Sequence, residues 1–132
     1  MKGQVSQFKI RQSVDMNNEI KTFEQNADVE IIDKKDRYFR YTERLDEYEI
    51  DVVLRAGNDF VKIQRRGIID MNFHFEAGRT TDTFYESPAG RHFFRIHTDA
   101  LAVDDARIDI RYQLIEGEDV IGHYHYKLEK EG

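Results

Sequence analysis

Residues 107–130 read RIDIRYQLIEGEDVIGHYHYKLEK, and this stretch decides the fold. Ile108, Ile110, Tyr112 and Leu114 fall at every second position, the Gly117–Asp119 segment interrupts them, and Val120, Tyr124, Tyr126 and Leu128 share one face of the run that follows. Side chains alternate across a strand, so a period of two gives one wet face and one buried face. Two such runs joined by so short a turn form an antiparallel hairpin. The same alternation recurs outward along the chain at Phe8/Ile10/Val14, Ile50/Val52/Leu54, Ile69/Met71/Phe73/Phe75 and Phe94/Ile96.

Turn residues separate these runs at Asp15–Glu19, Lys34–Arg37, Leu45–Glu47, Gly57–Asp59, Arg66–Gly67, Ala77–Arg79, Ser87–Gly90, Asp104–Ala106 and Gly117–Asp119. These breaks predict strands over 4–14, 20–33, 38–44, 48–56, 60–66, 68–75, 79–86, 91–103, 107–116 and 120–130. Val, Ile, Thr, Phe and Tyr together outnumber Leu and Ala more than three to one, which favours strand over helix. Loops this short make each strand the antiparallel neighbour of the next, and a meander of that length hides its edges best by closing into an up-and-down barrel. The one helical candidate is Asp99–Ala106, where Ala100, Leu101, Ala102 and Ala106 dilute the β-branched pattern.

The 132 residues form a single domain, 1–132, with a net charge of −6. A 15.7 kDa chain buries roughly 68% of its unfolded surface, enough for a core without covalent staples. With Cys 0, disulfides, thiol nucleophiles, iron–sulfur clusters and cysteine zinc sites are excluded. Residues 1–30 lack an apolar run, so the expected location is the cytoplasm. The acidic balance disfavours nucleic acid and anionic membranes as partners.

One stretch carries Arg65, Gly67, Met71, Asn72, Phe75 and Gly78 in the order Arg-x-Gly-x-x-x-Met-Asn-x-x-Phe-x-x-Gly, followed by Thr81, Tyr85, Gly90 and Thr98. It resembles the YwiB-like proteins. The resemblance extends over most of the chain and implies a calycin-like (lipocalin-like) barrel of about eight to ten strands. It further implies a small cytoplasmic bacterial protein of Firmicutes in a family of unknown function, with no active site to carry over. Read mechanically, Gly67 stands where two strands meet almost without a loop and needs either a positive φ or a close backbone approach, and Gly78 and Gly90 read the same way.

Catalytic chemistry finds little footing. Ser6, Ser13 and Ser87 sit in no nucleophile elbow, and phosphate-binding glycine loops are missing. The acidic clusters Asp46/Glu47/Glu49/Asp51 and Asp104/Asp105 read as solvated charge without calcium-loop spacing. We therefore expect no catalytic residues, no cofactor and no enzyme activity. His123 and His125 are two apart on one strand face, the spacing at which two imidazoles can share a metal, but alternation turns them outward. A solvated or interface pair is the ordinary reading, so they stand as weak metal candidates; His74 and His97 also point outward.

Arg65 shares parity with Val61 and Ile63, so it is a candidate anchor for a ligand carboxylate inside the barrel. The competing reading, which we favour from the sequence, puts it at the rim, reaching water or a carboxylate such as Glu43. Thr81, Tyr85, Thr98, Tyr112 and Tyr124 are the accompanying inward polar candidates. Bulky inward residues (Phe8, Phe23, Phe39, Phe84 and Phe94 among them) leave the interior either plugged or holding one small cavity. Two functions follow: a module binding a small, partly apolar or anionic ligand, or an interaction protein or homodimer using outward apolar residues such as Ile32, Ile68, Ile115 and Ile121.

Overall fold

The computed structural model describes residues 3–131. Their ten strands are β1 (Gln4–Met16), β2 (Glu19–Asp33), β3 (Arg37–Leu45), β4 (Tyr48–Ala56), β5 (Val61–Arg66), β6 (Asp70–Phe75), β7 (Thr80–Ser87), β8 (Gly90–Asp104), β9 (Arg107–Glu116) and β10 (Asp119–Lys130). Each pairs antiparallel with its sequence neighbours, and β1 pairs with β10 to close an up-and-down, calycin-like barrel. There is no helix among the described residues, so none is long and apolar enough to cross a membrane.

The helical expectation over Asp99–Ala106 fails. β8 runs on to Asp104, and its register against β9 shifts between Thr98 and Ala100. The bulge changes which residues face inward: Leu101 packs against the core, while Ala100 and Ala102 are exposed. The small residues that diluted the β pattern are the outward face beyond a bulge. A second register shift, between Val120 and Gly122, leaves Val120 47% exposed, off the face it was expected to share with Tyr124.

At Gly67 one of the two expected alternatives falls away. Positive φ occurs at Gly78 (76°) and Gly90 (124°), as expected, but Gly67 is not among the positive-φ glycines. The alternative reading holds there: a Cβ on Gly67 would lie 3.0 Å from the Glu49 carbonyl oxygen and 3.4 Å from the Ile50 Cα, so close backbone approach is the constraint. The β5–β6 connection is correspondingly longer than expected, spanning 67–69, with Arg65 opposite Met71.

The barrel has two unequal halves. Near the chain termini and the β2–β3, β4–β5, β6–β7 and β8–β9 turns, inward positions hold Phe8, Val29, Phe39, Leu54, Phe75 and Leu128, all fully buried. That half is plugged, with Phe8 edge-on to Phe39 at 6.2 Å. Toward the opposite turns the inward positions become longer, polar or sparser: Gln12, Gln25, Glu43, Arg65, Met71, Tyr85 and Leu114. Phe84 is not among the inward residues. It lies opposite the 70% exposed Phe93 on the outer face, with the Arg91 guanidinium 4.7 Å above its ring.

Two seams in the ladder are incomplete. β2 and β3 pair only between Glu30–Asp33 and Arg37–Arg40, and further along the Gln25 side-chain amide replaces the missing rungs, donating to the Thr42 carbonyl at 2.8 Å and accepting from the Arg44 N–H. β6 and β7 pair at two positions, and beyond them the Thr81 and Thr83 hydroxyls donate to the His74 and Asn72 carbonyls. Side chains thus satisfy backbone groups that the splayed strands leave open.

Candidate ligand cavity

The open half encloses a cavity of about 670 Å³, with a volume inside the range of small-molecule sites. Phe73 and Tyr112 form much of its floor and are nearly buried, and their rings meet edge-to-face at 6.3 Å. Tyr112 also stacks on Tyr124, at 5.0 Å between centroids and 11° between planes. Phe23 is inward by parity yet 57% exposed. It lines the cavity from the part of β2 that is not paired with β3, where the cavity opens.

Arg65 lies deeper than the rim expectation, its side chain only 6% exposed, while the contact with Glu43 that this reading named is made. It lies on the cavity wall with Nε 3.5 Å from Glu43 Oε2, and it donates from Nη2 to Gln12 Oε1 at 3.2 Å. Gln12 donates in turn to the same Glu43 oxygen at 3.2 Å, so its amide is held by a cation on one side and a carboxylate on the other. Arg65 Nε is buried without a hydrogen bond, and the guanidinium lies 5.9 Å from the centre of the Tyr126 ring. Burial opposes the guanidinium's charge, but the Glu43 carboxylate and the oxygens of Tyr41, Tyr126 and Tyr112 more than offset it and push its pKa further up.

Beneath this cluster the Tyr41 and Tyr126 hydroxyls bond each other at 2.9 Å. Burial pushes the Tyr41 phenol up to about 12, against the lowering effect of Arg65. Burial raises Tyr112 and Tyr126 as well. All three stay neutral donors at physiological pH.

The sequence-derived candidates divide. Arg65, Tyr85, Tyr112 and Tyr124 line the cavity together. Thr81 and Thr98 do not: Thr81 is occupied with the His74 carbonyl, and Thr98 is 1% exposed with an unpartnered hydroxyl. Sequence reasoning missed Gln12 as a wall residue, although its parity with Phe8 and Ile10 was a usable signal. His123 and His125 face outward. His125 is engaged by Asp109 at 2.7 Å and His123 is paired across the strands with Asp15, and no group of three His, Asp or Glu able to hold a metal occurs among the described residues. Ile68 packs against the core, whereas Ile32, Ile115 and Ile121 are half-buried on the outside.

A family model described as a domain of unknown function, DUF1934, matches residues 8–128. The chain belongs to the DUF1934 family. Among solved structures this DUF1934 chain is similar to the ywiB protein from Bacillus subtilis, at 20% identity and a TM-score of 0.76, over 99% of this chain and 94% of that one. The likeness establishes a common barrel. No curated protein matches the chain.

Proposed function

We propose that this barrel is a binding module for a small, largely apolar molecule, taken into the open half with its polar end against Arg65, Glu43 and Gln12. The observation that carries this reading is the coexistence of a cavity of about 670 Å³ and a largely buried charge pair on its wall, each member hydrogen-bonded to Gln12. Plugging by Phe and Tyr would have left no such space, and a barrel serving only as a scaffold has no use for a costly buried ion pair beside a void. Nothing in the cavity assembles a nucleophile with a base, so binding without turnover is the reading we adopt.

The test is saturable fluorescence enhancement of a neutral apolar probe, N-phenyl-1-naphthylamine. We expect one probe per chain, displacement by Leu114→Trp in the cavity wall, and no effect of Phe93→Ser on the outer face. Equal binding by Leu114→Trp and wild type would reject the cavity as the site.

A second reading rests on Phe93, which is 70% exposed and backed by Phe84 at 6.5 Å between ring centroids. It makes the β7–β8 outer face a surface for a second copy or another protein. Light scattering of wild type and Phe93→Glu tests it: a dimer abolished by the substitution supports this reading, and a monomer throughout rejects self-association.

A further inference from the structure

We infer that the head group accepted by the cavity is neutral and carries a hydrogen-bond donor beside an acceptor, as the edge of a lactam or primary amide does, on a flat aromatic body. This rests on the ligand-binding reading above. It departs from the anionic ligand that an isolated inward arginine suggests.

The reason is charge. Arg65 is already answered by Glu43; the other two charged lining residues, Glu24 and Arg44, are exposed, with Glu24 ion-paired to Lys9 and Arg11, and the formal charges of the lining sum to zero. A carboxylate entering this space would lose its hydration without meeting net positive charge, and it would approach the Glu43 carboxylate as well as the Arg65 guanidinium. A neutral amide edge avoids both costs.

Geometry agrees. Glu43 Oε2 takes both the Gln12 N–H and the Arg65 contact, which leaves Oε1 of the same carboxylate as an acceptor without a hydrogen bond among the described residues. Arg65 commits Nη2 to Gln12, and its side chain is 6% exposed and lines the cavity. A carboxylate acceptor and a guanidinium donor therefore share the lining of one cavity, bridged by the Gln12 amide. A single anionic oxygen pair satisfies the donor and repels the acceptor, whereas a lactam satisfies both. Tyr112 and Tyr124 also line the cavity; they stack on each other, and Tyr124, the less buried of the two, offers aromatic surface to a planar body.

The experiment compares three probes of matched size by titration calorimetry at pH 7: quinolin-2-one, a neutral lactam; 2-naphthoate, an anion; and naphthalene, which has no head group. Wild type should bind quinolin-2-one at least tenfold more tightly than either of the others. Glu43→Gln, checked for folding by circular dichroism, should shift the preference toward 2-naphthoate by about tenfold, because Arg65 is then unanswered. Equal or tighter binding of 2-naphthoate by wild type would overturn the inference while leaving ligand binding intact, and equal binding of naphthalene would also overturn it. Failure of all three to bind would defeat the binding reading itself. The wild-type comparison decides the matter even if Glu43→Gln does not fold.

Discussion

Arg65 on β5 and Glu43 on β3 meet across the intervening strand β4, which contributes Ile50 opposite Glu43 and Val52 opposite Arg65. The pair is unequally buried, with side-chain exposures of 6% for Arg65 and 18% for Glu43. Losing the carboxylate strands a charge more deeply than losing the guanidinium does. We expect Glu43→Gln to cost about 3 kcal/mol and Arg65→Met about 2 kcal/mol. The double replacement Arg65→Met/Glu43→Gln should cost less than the sum by at least about 1 kcal/mol. Urea unfolding of the four proteins measures the coupling, and additivity would show that the two side chains do not act as a pair.

The buried phenols make the barrel sensitive to alkali. Tyr41 is raised from 10 to about 12 in the folded state, so between these values the unfolded chain releases a proton that the folded chain keeps. Stability from this group is complete below pH 10 and is lost as pH rises through about 12, a loss of roughly 3 kcal/mol. Tyr112 and Tyr126 shift in the same direction and add to it. Tyrosinate absorbance should therefore rise together with loss of the β circular dichroism signal above pH 10, and Tyr41→Phe should weaken that pH dependence. An unchanged profile would mean that Tyr41 ionises in water.

Gly67 and Gly78 are constrained for opposite reasons, and asparagine separates them. Gly78 has φ +76° and open space around the position of a Cβ, so Gly78→Asn should be tolerated within about 0.5 kcal/mol, as asparagine accepts left-handed backbone. The chain already uses Asn17 and Asn18 this way, at φ 54° and 62°. At Gly67 the obstacle is the Glu49 carbonyl oxygen, and asparagine relieves nothing. Gly67→Asn should cost about 1–3 kcal/mol, lowering the thermal midpoint by several degrees. Equal effects at the two sites would contradict this distinction.

All ten strands were legible because Asn17–Asn18, Asp46–Glu47 and Gly117–Glu118 punctuate a strict two-residue period. Parity also placed Tyr112, Tyr124 and Arg65 inside. Depth along the barrel was not legible. Whether Arg65 sits at the rim or well within depends on the stagger of β3, β4 and β5, and stagger is a property of the closed sheet that no single strand carries. The same limit hid the partition into a plugged half and an open half. At Thr98–Ala100 the sequence misled for a local reason, since a bulge breaks the period and leaves alanines that resemble a helical turn.

The most direct test of the account is methyl NMR of Met-, Leu- and Val-labelled protein titrated with quinolin-2-one. Met71, Leu114 and Val14 line the cavity, whereas Leu54, Leu128 and Val29 fill the closed half. A ligand seated in the open half predicts large shift changes for the first three methyl groups and small ones for the others, saturating at one ligand per chain. Changes spread equally over both sets, or confined to residues outside the cavity, would contradict it.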